Sequence, residues 1–151
     1  MSARIPDAKT HLPEFQDLVD VMVRVTGNGS VPAATARLVH LRAGQLVGST
    51  YQVLLHAAGL RTAGETEDRI AAVATWRDAP CFTAAERAAL ALTDAVFLPA
   101  ARDGERVPDR LFAEVAEHYD DKARATLMLV LASAGFWMSI ALVNRPAPAP
   151  A

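Results

Sequence analysis

Apolar residues recur three and four positions apart along almost the whole chain, and no stretch alternates as a half-buried strand would. That periodicity restricts the chain to an all-α fold. Hydrophobic residues make up 52% and charged residues 21%, a globular rather than a disordered balance. Glycine and proline punctuate the pattern and divide it into elements. The spacing predicts a first helix over about 14–25, with Phe15, Leu18, Val19, Met22 and Val25 on one face. A loop at Thr26–Ser30 follows, then a second helix from Pro32 to Leu46 or Val47. Gly48 breaks the chain before a third helix, Ser49–Ala63, which Gly64 suits as a C-cap. Glu65–Trp76 forms the fourth, burying Ile70, Val73 and Ala74. Thr83-Ala84-Ala85-Glu86 is a capping box that opens a helix to Phe97, stopped by Pro99. After a polar loop at Ala101–Val107, Pro108 and Asp109 start a helix to about His118, and Asp120 caps a long last helix to Asn144. The expectation is a single-domain helical bundle of six to seven helices over residues 1–145, with a disordered Ala/Pro tail at 146–151.

A chain of 151 residues is near the commonest size for one domain with one core. The formal net charge of −2 and scattered basic residues give no sign of a nucleic-acid partner. Cys81 is the single cysteine, so an internal disulfide and a cysteine-rich metal site are both excluded, which favours a reducing, cytoplasmic setting. No histidine/carboxylate cluster has metal-ligand spacing and no glycine-rich phosphate loop follows a strand, so no metal or cofactor is expected. The first seven residues lack the apolar core of a signal peptide. Leu127–Val143 runs 17 residues without a charge, the short limit for a membrane span. Ser133, Gly135 and Ser139 dilute it, and Asp120, Asp121, Lys122 and Arg124 lead into the same helix. A buried core or subunit-interface helix is therefore expected, with no membrane partner. Trp76, Trp137, Phe82, Phe97 and Phe136 are assigned to the core, Met128 and Met138 to gap filling, and Cys81 to a small buried apolar role.

Several blocks carry a resemblance: Leu38-Val39-His40-Leu41-Arg42-Ala43-Gly44-Gln45-Leu46-Val47-Gly48, Ala63–Ile70, Trp76–Pro80 and Phe82–Leu92. Together they are similar to the alkylhydroperoxidase D / carboxymuconolactone decarboxylase family over about Leu38 to Trp137. The resemblance implies an all-α fold whose subunits assemble into trimers, hexamers or other rings. In that family the first block leads into Gly-Cys-x-x-Cys-x-x-x-His. Here Gly48 and His56 stand in place, but Ser49 and Gln52 occupy the two cysteine positions. A thiolate is the nucleophile of dithiol chemistry, and neither a hydroxyl nor a carboxamide forms a disulfide. Peroxidatic members also carry a relay glutamate twelve positions before the first cysteine, where this chain has Arg37. Their last helix often bears Asn-x-Trp-Asn-Arg, matched here by Gly135-Phe136-Trp137-Met138-Ser139.

Ser49, Gln52 and His56 fall at i, i+3 and i+7, on one helical stripe. Gln52 and His56 are spaced for a hydrogen bond that would fix the imidazole tautomer. Ser49 and His56 lie roughly 10 Å apart along the axis, too far for a direct nucleophile pair. The candidate catalytic residue is therefore His56 as a lone general base, with Arg37, Gln45, Ser49, Tyr51 and Gln52 as candidate ligand-binding residues. A satisfied core or interface histidine is the plainer role for His56. Arg37 and His40 edge one groove, where solvated surface is the plainer role. His11 and His118 read as loop and helix-end residues. The resemblance and the residues together imply a non-redox member that binds a small apolar or organic-acid ligand, or serves as an oligomeric scaffold. The alternative is a cofactor-free acid/base enzyme, a decarboxylase, isomerase or hydrolase of a small organic acid or lactone, using His56. A residual peroxidase through Cys81 ranks below both.

Without a dithiol, the purified protein is expected to leave alkyl hydroperoxide unconsumed in a stopped peroxide assay. Turnover that disappears in a Cys81→Ala variant would remove this exclusion.

Overall fold

The computed structural model describes residues 3–99 and 104–147. Their elements are α1 (Ala8–His11), α2 (Glu14–Thr26), α3 (Ala33–Val47), α4 (Thr50–Thr62), α5 (Glu67–Ala72), a 3₁₀ turn (Val73–Thr75), α6 (Ala84–Phe97), α7 (Asp109–His118) and α8 (Asp121–Asn144). The fold is all-α, with no strand among the described residues. Residues 101–103 of the expected polar loop and 148–151 of the expected tail lie outside the described residues.

Among the described residues, eight α-helices exceed the expected six to seven. The extra one, α1, is a single turn whose cap is Asp7, accepting from the Thr10 N–H at 3.3 Å, and one turn is too short to show a period. The fourth expected helix is also cut: α5 ends at Ala72 and tightens into the 3₁₀ turn. Side chains from two neighbouring helices claim the carbonyls there. Arg42 Nη1 donates to the Ala74 carbonyl at 2.9 Å, and Arg87 donates to Trp76, Arg77 and Ala79 carbonyls at 3.0, 2.8 and 3.0 Å. Tertiary hydrogen bonds thus replace the ladder that would have prolonged the helix.

The remaining boundaries follow local chemistry. At α6 the Glu86 N–H donates to Thr83 Oγ1 at 3.2 Å and the Thr83 N–H donates to Glu86 Oε2 at 2.9 Å, closing the capping box. Asp120 Oδ1 accepts from the Ala123 N–H at 2.8 Å to start α8. Gly48 ends α3 with φ of 77°, a left-handed conformation open to glycine at little cost, and this turns the chain straight into α4.

Helix α3 lies at the centre. Leu38 and Leu41 join Leu60, Ile70, Val73, Trp76, Phe82 and Leu90 in one cluster, under α4 and α5. Val39 faces the other way, into a cluster with Ala89, Val115, Leu127 and Val130 from α6, α7 and α8. Ala43 meets Ala134 and Met138 of α8. Helix α8 buries nine residues, Ala123 to Ala141, although its length and composition would also suit a membrane span. Helix α2 buries none fully; its Phe15 stacks on Phe136 at 6.1 Å and meets Trp137 edge-on at 6.4 Å.

Several sequence expectations need correction. Cys81 is exposed, because only its neighbour Phe82 turns inward and the Cys81 carbonyl faces Arg69. Met128 is 62% exposed, since α8 turns that side away from α3. Leu18 is 47% exposed, and Phe97, Phe136 and Trp137 are half-buried rather than core.

Asp94, 2% exposed, ties the centre together. It accepts from Arg42 Nε at 2.6 Å and Nη2 at 3.3 Å, from Trp76 Nε1 at 3.2 Å and from Arg77. Burial alone would raise its pKa, but the guanidinium bonds from Arg42 and Arg77 outweigh burial and hold it below the ordinary carboxylate value. Breaking a buried pair strands the other charge, so Asp94→Asn is expected to cost about 3 kcal/mol in urea unfolding. Arg77→Ala, whose side chain is 60% exposed, should cost about 1 kcal/mol or less in the same experiment.

Candidate functional site

Gly44 sets the distance between α3 and α4. A Cβ on it would sit 3.2 Å from Val53 Cγ2 and 3.4 Å from Gln52 Cβ, tighter than ordinary packing. The missing side chain lets the two helices of this hairpin approach closely. One turn before Gly44 stands His40, and one turn after Gln52 stands His56. Their rings stack, with centroids 4.6 Å apart and planes 12° from parallel.

Each ring is anchored on one side. His56 Nε2 and Gln52 Oε1 are 3.1 Å apart, and Gln52 Nε2 donates to the Trp137 carbonyl at 3.3 Å. His40 Nε2 and Ser133 Oγ are 3.2 Å apart, and the Ser133 hydroxyl donates to the Val130 carbonyl at 2.8 Å. A cavity of about 390 Å³ opens against this pair. Tyr51, Gln52 and Leu55 wall it from α4, and Trp137, Ile140, Ala141 and Asn144 from α8. Pro146 lies at its edge. No lysine, arginine or carboxylate is among the lining side chains.

Burial lowers the pKa of His40 to about 3, helped by the neighbouring His56. Burial also lowers His56, to about 4, with the Arg37 charge adding to it. Both rings are neutral at pH 7.

The structure brings together three of the six candidate site residues, His56, Tyr51 and Gln52, on the cavity wall. Arg37 lies over Gly59, its Nε 2.9 Å from where a Cβ would sit there, and reaches His56 by its charge rather than by lining the cavity. Ser49 is 5% exposed at the start of α4, with no side-chain cap bond, and Gln45 has its Oε1 buried without a partner among the described residues. Neither lines the cavity. Cys81 does not line it either.

His40 is a correction: it is a stacked, half-buried wall residue, not solvated surface, because the α3–α4 contact covers it. Ser133 and Trp137 are further site residues: the sequence reading gave Ser133 no site role and assigned Trp137 to the core, although Trp137 alone keeps the family's pattern on the last helix. Ser133 had a signal, a hydroxyl in a charge-free apolar helix, which requires a polar partner when buried. Among the described residues no group of three or more His, Cys, Asp or Glu is placed to hold a metal.

An all-helical bundle with Gly48 just before α4 and His56 midway along it, and no cysteine pair there, is a carboxymuconolactone decarboxylase-type fold without a dithiol. Residues 13–95 match the carboxymuconolactone decarboxylase family, and the chain belongs to that family. It is 32% identical over 137 residues to the uncharacterized protein YdfG of Bacillus subtilis (strain 168), covering 89% of this chain and 91% of that one. A crystal structure of a protein of unknown function from Agrobacterium tumefaciens, provisionally an antioxidant defence protein AhpD, superimposes with a TM-score of 0.83. That match has 24% identity and covers 95% of this chain and 96% of the other. A cysteine-to-alanine variant of the debrominase Bmp8, in complex with 2,3,4-tribromopyrrole, shares the fold at a TM-score of 0.79. Its identity is 15%, over 93% of this chain and 73% of that one.

Folding depresses both histidine pKa values, so the unfolded chain binds more protons at mildly acid pH. Their stabilisation is complete above about pH 6.5 and is lost as pH falls toward 4 and then 3. Stability from urea melts should drop by about 2 kcal/mol per histidine between pH 7 and 5. A His56→Leu variant should show about half that slope, and an unchanged slope would contradict the burial of the ring.

Proposed function

We propose that the protein is a cytoplasmic, self-associating, non-redox member of its family that binds a small, neutral, largely apolar molecule between α4 and α8. The observation that carries this is the cavity of about 390 Å³, walled by Trp137, Leu55, Ile140 and Ala141, with two neutral imidazoles and no formal charge on its wall. Such a volume lies at the small end of ligand sites and suits a one- or two-ring molecule. An organic-acid anion would meet no compensating cation among the lining side chains, so an apolar ligand fits better. The debrominase Bmp8 takes 2,3,4-tribromopyrrole, a small ring compound, on the same fold, which supports a ring ligand here.

The acid/base alternative using His56 is weaker. A general base works best with a pKa near the operating pH, and burial lowers this one to about 4. Self-association is supported by an apolar groove of about 460 Å³ between α6, α7 and α8, where Phe112 is 51% and Met128 62% exposed.

Calorimetric titration with 2-methoxynaphthalene should show saturable binding of one probe per chain. Ile140→Trp and Leu55→Trp, which fill the cavity from two sides, should each weaken it at least about tenfold, a loss of about 1.4 kcal/mol. Unchanged binding in both folded variants would place the probe elsewhere and remove the proposal. Sedimentation of the same samples should give a mass of three or more chains.

A further inference from the structure

The hydrogen bonds around the two histidines determine which ring nitrogen carries the proton. The Trp137 carbonyl only accepts, so the nitrogen of the Gln52 amide must face it, at 3.3 Å. The amide oxygen is then the atom facing His56 Nε2 at 3.1 Å, and an oxygen there needs a donor. His56 is therefore protonated on Nε2. The same logic applies on the other side. Ser133 Oγ is closer to the Val130 carbonyl, at 2.8 Å, than to His40 Nε2, at 3.2 Å; with its one proton placed on the shorter contact, its oxygen accepts from His40 Nε2. His40 is protonated on Nε2 as well.

Both rings consequently present Nδ1 as a lone pair without a proton. Neither Nδ1 has a hydrogen-bond partner among the described residues. Neither is sealed off, because the buried side-chain polar atom left without a partner there is Gln45 Oε1. Two partnerless acceptors belong to side chains on one cavity wall, and burial keeps both rings from gaining a second proton at pH 7. A ligand with only acceptors leaves these lone pairs unpaired where it displaces water, whereas a ligand O–H or N–H satisfies one of them. A carboxylate adds two more acceptors and a charge with no cation on the wall to meet it.

We propose that the cavity selects a neutral ring molecule that donates a hydrogen bond from O–H or N–H, with Nδ1 of His56 and His40 as the acceptors, and turns away the corresponding carboxylate. This rests on the cavity being a ligand site, as proposed above. The class includes phenols, enols and N–H heterocycles. Gln52 and Ser133 are positioning residues: they act through the histidines by fixing the tautomer.

Three probes on one ring system separate the possibilities. In calorimetric titrations of the intact protein at pH 7, 2-naphthol should bind about three- to tenfold more tightly than 2-methoxynaphthalene. The anion 2-naphthoate should bind more weakly than both. Long-range proton–nitrogen NMR of the histidine side chains should show Nδ1 unprotonated and Nε2 protonated on both rings. Gln52→Leu removes the amide that fixes His56, and the preference for naphthol should fall toward parity. If that variant does not fold, the NMR tautomers of the unmodified protein still decide. A protonated Nδ1 on His56 overturns the inference, as does equal binding of naphthol and its methyl ether. Equal binding leaves the ligand site itself standing; failure of all three probes to bind removes both proposals together.

Discussion

Helix α3 has no free side, and the rest of the molecule is arranged around that fact. Leu38 and Leu41 face α4 and α5, Val39 faces α6 and α8, and Ala43 faces the far end of α8. A polar side chain on such a helix persists only with a partner, because an unpaired one costs more than its hydrogen bond returns. Arg42 finds Asp94, and Asp94 in turn holds Trp76 and Arg77. The same guanidinium takes the Ala74 carbonyl and so shapes the turn after α5. One buried ion pair therefore sets both the packing of the centre and a helix end remote in sequence.

The site arises from the same constraint at a neighbouring position. His40 is on α3 and needs a partner as Arg42 does, but α8 supplies only one, Ser133, on one edge of the ring. The other ring nitrogen has no hydrogen-bond partner among the described residues, and His56 is in the same position on α4 with Gln52. Gly44 allows the two half-satisfied rings to stack, and the space between α4 and α8 remains as the cavity. Stacked, buried imidazoles stay neutral, since a charge on either would lose solvation and one on His56 would also face the Arg37 charge. The pocket is thus apolar with two acceptors, a different chemical character from a dithiol with an acid relay.

Much of the framework was legible in the chain itself. The capping box at Thr83 and Glu86, the Asp120 cap and the break at Gly48 depend on atoms within four residues of one another, so local sequence specifies them. Where distant side chains intervened, local reasoning failed. Glu65–Trp76 was cut short because Arg42 and Arg87 hold its carbonyls. Cys81 and Met128 sit on elements whose buried face is chosen by their neighbours. His40 and Ser133 are 93 residues apart, and nothing in either segment names the other.

The sequence alone determined most of the helices, the family and the loss of dithiol chemistry, because periodicity, caps and the absence of sulfur at positions 49 and 52 are properties of residues near one another. It also placed Gln52 four residues before His56, close enough to bond within one helix. Only the tertiary structure decided that His56 meets a second histidine, that both are neutral, and that both side chains line the wall of a cavity. Protonation and access depend on burial and on partners from α3 and α8, and those are fixed only when the helices pack.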